Sequence, residues 1–195
     1  MQQIKDLAQV KTIRVETLAR WLCLGLVAAG LSGCAHPSQV GITSNKLNAY
    51  HADIKRLLVL TDLGKAIQTR GGDQEAAFTS AFTASLGTCG IDVKVQKHDP
   101  LALQDETKQA VQNFAPDTFL SIGWKTEQSV NTVAVQTVLV GSMIDLKTKR
   151  LVWKAEINFV PASNAGQTLA ASIIDRLKLE TILGSSCPTP IVPKV

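Results

Sequence analysis

The chain has 195 residues, of which 45% are hydrophobic and 18% charged, and its formal net charge is +4. This length suits one domain with a sizeable buried core. No basic stripe with interleaved aromatic residues is present, so nucleic acid is not an expected partner.

The N-terminus has the pattern of an export signal. Basic residues precede the apolar stretch 21–31, which has the length of a signal-peptide core and is shorter than the ~20 residues needed to span a bilayer. The stretch ends in LSGC at 31–34, which resembles the lipobox of bacterial lipoproteins: an aliphatic residue, two small residues and a cysteine. This resemblance implies cleavage before Cys34 and acylation of its thiol.

Lipidation of Cys34 sets the expected location. Mature bacterial lipoproteins carry two or three acyl chains on this cysteine, which is enough for stable anchoring in membrane lipid. Ala35 follows Cys34, so the Asp that retains such proteins at the inner membrane is absent, and the periplasmic face of the outer membrane is expected. A plain secretory signal, an uncleaved anchor and an ordinary buried thiol are the alternatives.

Cleavage changes the charge and the cysteine count. Four of 20 basic and two of 16 acidic residues lie before Cys34, so the net charge of the remainder falls from +4 to +2. Cys89 and Cys187 are the thiols left, and an even pair in an oxidising compartment predicts a disulfide. Such a bridge can stabilise the fold by up to ~4.7 kcal/mol. Two unrelated thiols remain the alternative.

The first half of the mature chain alternates strands with helices. Residues 34–53 are polar without a period and are expected to form the lipidated end and a flexible tether. A buried strand is predicted at 54–61, followed by a helix that Asp73 caps and that buries Phe78, Phe82 and Leu86 on one face. A strand at 91–96, a helix at 101–114 and a strand at 118–124 follow.

The second half predicts two long strands and a helix. The strands are expected at 130–144 and 151–160, with a turn in which Asp145 bonds backbone amides, and the helix at 167–183 precedes a Pro-rich tail at 185–195. The order β-α-β-α-β-β-β-α predicts a single α/β domain at 54–184, an α+β sandwich. Its mixed sheet has about five strands, and the helices pack on one face.

One hairpin carries a further resemblance. Residues 141–157 read GSMIDLKTKRLVWKAEI, a strand, an Asp-x-x-Thr turn and a Trp-bearing strand. This layout resembles the small α/β domain of the curli-secretion channel subunit, the peptidoglycan-synthase activator lipoproteins and the N-terminal domain of the Tol-system propeller protein. That turn often reads D-x-K-T-G-K, and Lys149 stands here where Gly is usual. The resemblance implies a binding domain and transfers no catalytic residue.

Catalytic patterns are missing from the chain. His36 and His51 fall in the expected tether, and His98 with Asp99 fits a turn better than a base with its orienting group. Ser121 and Ser142 lack a G-x-S-x-G elbow, and residues 64–72 lack a P-loop. Without metal-ligand spacing either, the sequence predicts no enzyme, no metal and no cofactor.

Two groups of residues are of the types that form partner contacts. Trp124 and Trp153 alternate with aliphatic residues and are expected in the core. The loop 62–72 follows the first buried strand, and its Lys65, Arg70, Gly71 and Gly72 are the candidate partner-binding residues, because open α/β sheets bind at the carboxyl ends of their strands. A merely mobile, solvated loop is the alternative.

The expected function is a non-enzymatic binding or assembly accessory of the bacterial envelope. It would dock on another envelope protein or on copies of itself. The alternatives are a lipoprotein that binds a small lipid or glycan, and, less favoured, a cell-wall enzyme.

Overall fold

The structure, a computed structural model of the chain, describes residues 40–48, 50, 53–63, 73–98, 104–130, 133–184 and 187. The expected signal peptide at 1–33, Cys34 and the tail from 188 onward lie outside these residues. None of the helices in the described ranges is long and apolar enough to cross a membrane.

A six-stranded mixed sheet forms the centre of the domain. Its strands are β1 (Val40–Lys46), β2 (Arg56–Asp62), β3 (Asp92–Lys97), β4 (Thr118–Val130), β5 (Val133–Asp145) and β6 (Arg150–Phe159), in the order β1-β6-β5-β4-β2-β3. β2 is parallel to β3 and β4, whereas β4, β5, β6 and β1 pair antiparallel.

Three helices of the described chain pack on this sheet: α1 (Gln74–Gly87), α2 (Gln104–Phe114) and α3 (Ala165–Leu179). Asp73 caps α1 as expected, because its carboxylate accepts a hydrogen bond from the amide of Ala76 at 2.9 Å. The predicted α/β class and the order of elements from β2 to α3 are confirmed.

β1 corrects the expected tether. The sequence predicts a flexible segment for residues 40–46, and the structure instead pairs them with β6 along the whole strand. The alternation was hard to recognise because only Val40 and Ile42 are apolar at the inward positions. Ser44 and Lys46 point inward as polar residues because they meet polar groups at the end of α3.

A small polar network fastens β1 to α3 and β6. The carboxylate of Glu180 accepts hydrogen bonds from the Ser44 hydroxyl at 2.5 Å and from Trp153 Nε1 at 2.7 Å, and it pairs with Arg176 Nε at 2.8 Å. Lys46 Nζ donates to the backbone carbonyl of Glu180 at 2.7 Å. Because Glu180 directly follows α3, the network holds the edge strand at this end of the domain.

The helices lie on both faces of the sheet, which corrects the expectation of one covered face. The main core holds the inward side chains of α1 and α3 together with Leu57 and Val59 of β2. Side chains alternate along a strand, so Arg56 lies on the opposite face, where its guanidinium stands 4.7 Å from the ring centroid of Phe114 in α2. The crossover from β2 to β3 runs towards the edge of the sheet, and the crossover from β3 to β4 runs back past β2. Two right-handed crossovers of opposite direction place their helices on opposite faces of the sheet.

Two glycines permit close packing. A Cβ on Gly141 would lie 2.7 Å from Cζ3 of Trp153, so the missing side chain makes room for the buried indole. A Cβ on Gly166 in α3 would lie 2.0 Å from the backbone oxygen of Gln74 in α1. The first turns of these helices therefore meet backbone to backbone.

The turn between β5 and β6 keeps the expected geometry despite the unusual lysine. Asp145 Oδ1 accepts hydrogen bonds from the amides of Lys147 and Thr148, each at 2.9 Å. Lys149 has φ +57°, the left-handed conformation that glycine adopts most easily. The turn is thus retained with a lysine in the position where the resembled motif has glycine.

Candidate functional site

A shallow groove opens where β2 ends, beside the first half of β4. Its volume is about 320 Å³, and its lining consists of Leu60, Asp62, His98, Ser121, Ile122, Gly123, Trp124, Val140 and Ser142. The walls combine aliphatic side chains with two hydroxyls, a carboxylate, an imidazole and an indole. Such a mixture suits recognition, in which apolar contact supplies affinity and a few polar groups fix orientation.

Trp124 is one of the residues that line the groove, and its expected core position was wrong. Its side chain is 49% exposed, whereas Trp153, the other predicted core indole, is 1% exposed. In the alternation of each strand, both tryptophans occupy positions of the same phase as the buried residues. The difference arises because β4 continues beyond β2, whose pairing ends at Asp62 and Gly123, and because the register of β4 with β5 shifts directly after Trp124. An exposed tryptophan is the type of side chain that anchors protein contacts.

The irregularity after Trp124 also positions a charged pair. Lys125 Nζ lies 2.5 Å from Glu156 Oε2 on β6, and this hydrogen bond lowers the pKa of Glu156. Both side chains are about half exposed, so the pair contributes little to stability. Its two charges border the groove region without adding a net charge.

The acidic and basic groups at the groove come from the ends of β2 and β3. The amide of His98 donates to the carbonyl of Thr61 at 2.7 Å, which places the histidine beside the end of β2. Next to it, the hydrogen bond from Lys97 to Glu75 raises the pKa of Lys97, and the charge of Asp62 contributes to the same rise. Asp62 is therefore within electrostatic reach of this edge.

Ser121 and Ser142 lie across the β4–β5 pair. The Ser121 hydroxyl is directed at the backbone carbonyl of Ser142 at 3.5 Å. It is engaged with the main chain and is not held by the imidazole of His98 in the manner of an activated nucleophile. Among the described residues, no group of three or more His, Cys, Asp or Glu side chains is placed to hold a metal ion.

The sequence-predicted site residues have different outcomes. Cys89 and Cys187 are joined by a disulfide, with their Cα atoms 4.7 Å apart. Cys34 and the candidate partner-binding residues Lys65, Arg70, Gly71 and Gly72 lie outside the described residues, as do His36, His51 and Asp99. The partner-binding role of Lys65, Arg70, Gly71 and Gly72 therefore stays a prediction.

Sequence reasoning missed Asp62, His98 and Trp124 as neighbours. The signal that could have joined them is topological, because Asp62 ends β2, His98 directly follows β3 and Trp124 lies just past the end of the β2–β4 pairing. Parallel strands bring their carboxyl ends to one edge of a sheet, so these three positions must come close together.

Comparisons with known proteins give only distant likenesses. The chain matches no protein-family model and no curated protein. The PelC dodecamer from Paraburkholderia phytofirmans is similar with a TM-score of 0.42 and 15% identity, covering 78% of this chain and 99% of that one. A DUF330 protein from Xanthomonas campestris is similar with a TM-score of 0.38 and 11% identity, covering 71% of this chain and 91% of that one.

Proposed function

We propose that the mature chain is a lipid-anchored binding module on the periplasmic face of the outer membrane, which docks on another envelope protein or on its own copies without catalysing a reaction. The observation that carries the docking role is the groove at the carboxyl end of β2, whose lining includes the half-exposed Trp124 of β4. The anchor comes from the lipobox-like LSGC at 31–34.

The disulfide supports the compartment. Bridges persist in the periplasm and are rare in the bacterial cytosol, where thiols are kept reduced. Cys187 lies near the C-terminal end of the chain and is tied to Cys89 in the turn after α1. A domain that closes its C-terminal segment in this way fits an exported protein.

The groove has the composition of a contact site. Trp124 offers a large rigid surface, and Asp62 and His98 add polar groups that can select a complementary partner. Tryptophan is enriched among the residues that dominate interface energies, and its truncation typically weakens binding by about 2 kcal/mol or more, which is roughly thirtyfold.

Site-specific photocrosslinking in the native envelope tests this role. A photoreactive residue at Ser142 in the groove should capture a defined protein, and the same residue at Leu179, which is exposed at the C-terminal end of α3 and does not line the groove, should not. Trp124→Ala should weaken the capture at Ser142. Equal capture from both positions, or capture that ignores Trp124→Ala, would contradict the proposal.

The mass of the captured species distinguishes the two docking modes. A product of twice the chain's mass indicates self-association, and light scattering on the purified mature protein should then show an oligomer. Any other defined mass indicates a different envelope protein.

A small ligand is the second candidate for the same groove. Its volume of about 320 Å³ lies at the lower end of ligand pockets. Native mass spectrometry of protein released gently from the membrane would detect a bound lipid or glycan as added mass, which Trp124→Ala should remove.

A further inference from the structure

We propose that the end of the domain formed by the β4–β5 hairpin rests on the phospholipid surface, so that the lipidated protein has a fixed orientation on its membrane. This inference depends on the proposed acylation of Cys34. The strand β1 takes the place of part of the expected tether. β1 begins at Val40, six residues after Cys34, and six residues span at most about 20 Å when fully extended.

The strand register gives the position along the strand axis at which the chain enters the sheet. Val40 pairs with Phe159 of β6, Phe159 pairs with Thr137 of β5, and Thr137 pairs with Glu127 of β4. These four residues therefore lie on one level across the sheet. β4 continues from Glu127 for three residues to Val130, which corresponds to about 10 Å of strand.

The hairpin thus extends from the domain on the side from which the anchor arrives. β5 has no pairing with β6 on the N-terminal side of Thr137, and β4 has none with β2 on the C-terminal side of Gly123. The ends of β4 and β5 therefore pair only with each other. Six residues can span any distance up to about 20 Å. Because this reach exceeds the projection of the hairpin, the bilayer that holds the acyl chains lies within reach of Val130.

The chemistry of this end suits a phospholipid surface. Val130 is 58% exposed, and Val160, which directly follows β6 at the same end, is 42% exposed. Between Lys125 and Val138 the sequence contains a single charged residue, Glu127. Apolar and uncharged side chains favour the interfacial region of a bilayer. The strand edges of β4 and β5 that have no other partner require hydrogen bonds, so Val130 contacts headgroups and does not enter the hydrocarbon.

The opposite end of the domain provides an internal contrast. Lys46, at the far end of β1 from Val40, donates a hydrogen bond to the backbone of Glu180, and the neighbouring Leu179 is 48% exposed. β1 has seven residues, so Leu179 lies about 20 Å farther from the anchored end than Val40 does. It carries an exposed aliphatic side chain similar to that of Val130 and should not meet lipid.

Tryptophan fluorescence on vesicles tests the orientation. Two forms of the mature lipidated protein, both with Trp124→Phe, carry either Val130→Trp or Leu179→Trp and are inserted into phosphatidylcholine vesicles with or without a headgroup nitroxide. The nitroxide should quench the Val130→Trp form and leave the Leu179→Trp form unchanged, with buried Trp153 as a constant background in both. Gln128→Trp replaces Val130→Trp if that variant does not fold.

Mass spectrometry of the N-terminal peptide from the same samples separates the two claims. An acylated terminus with equal quenching of both forms, no quenching, or stronger quenching of the Leu179→Trp form would overturn the orientation and leave the lipoprotein proposal intact. An unacylated terminus would overturn the proposed anchor and the orientation together.

Discussion

The contact between α1 and α3 at Gly166 allows a sharp test of the packing. In Gly166→Ala the new Cβ would stand 2.0 Å from the oxygen and 3.0 Å from the carbon of the Gln74 carbonyl, and 2.9 Å from the amide nitrogen of Phe78. An ordinary contact is near 3.5 Å, so the helices must separate by about 1.5 Å. All three atoms belong to the backbone, and a rotamer change therefore cannot relieve the clash.

The expected cost is large because moving one helix also disturbs the core beneath both. Phe78, Phe82 and Leu169 are fully buried there. Overpacking of this kind costs about 3 kcal/mol. With a urea dependence of roughly 2 kcal/mol/M for a domain of this size, the unfolding midpoint should fall by about 1.5 M.

Urea unfolding of the mature chain with its disulfide intact measures this shift, and Gly87→Ala is the matched control. A Cβ on Gly87, the last residue of α1, meets nothing within 4 Å. That variant should be unchanged or more stable by about 0.5 kcal/mol. If Gly166→Ala unfolded at the wild-type midpoint with an unchanged slope, the close helix contact would be wrong.

Four further predictions concern single residues. Lys149→Gly removes a lysine from the left-handed conformation, which relieves backbone strain of about 1–2 kcal/mol and adds the smaller entropic cost of a glycine. The thermal unfolding midpoint should therefore rise by about 2 °C, and a lower midpoint would argue against strain in this turn. Burial and the nearby Asp145 raise the pKa of Tyr50 to about 12, so phenolate absorbance of this single tyrosine should titrate near 12 in the folded chain and near 10.0 in urea. Since the unfolded chain loses this proton first, stability should fall as the pH rises from about 10 to 12, and Tyr50→Phe should reduce that fall. Cys34→Ser should move the protein from the membrane to the soluble periplasmic fraction without unfolding it, and continued membrane fractionation would contradict the anchor. The denatured mature protein should show no reactive thiol, whereas labelling of Cys89 or Cys187 would exclude the bridge as a native feature.

The elements with strong periodicity could be predicted from the sequence, and those with mixed environments could not. The α1 face of Phe78, Phe82 and Leu86 and the alternation of β6 follow directly from burial on one side of an element. β1 was missed because its inward positions change from aliphatic to polar halfway along, where Ser44 meets Glu180. Its pairing partner lies more than a hundred residues away, so no local pattern reports it.

The position of the groove depended on information that a single strand does not contain. Trp124 has the phase of a core residue, and its exposure results from the lengths of the neighbouring strands, since β2 ends where β4 continues. Likewise, Leu58 is buried although it alternates with the core residues Leu57 and Val59, because α2 covers the second face of the sheet. Strand length and crossover direction are properties of the assembled fold.

The position of β1 also determines how the protein bears mechanical load. A pull from the proposed lipid anchor, directed along β1, would reach the sheet at Val40, the first residue of a strand that is paired with β6 from Val40 to Lys46. The bonds of the pair are then loaded together in shear and do not open one after another. Under the proposed anchoring, this edge strand would therefore resist detachment from the sheet when a bound partner is pulled away from the membrane.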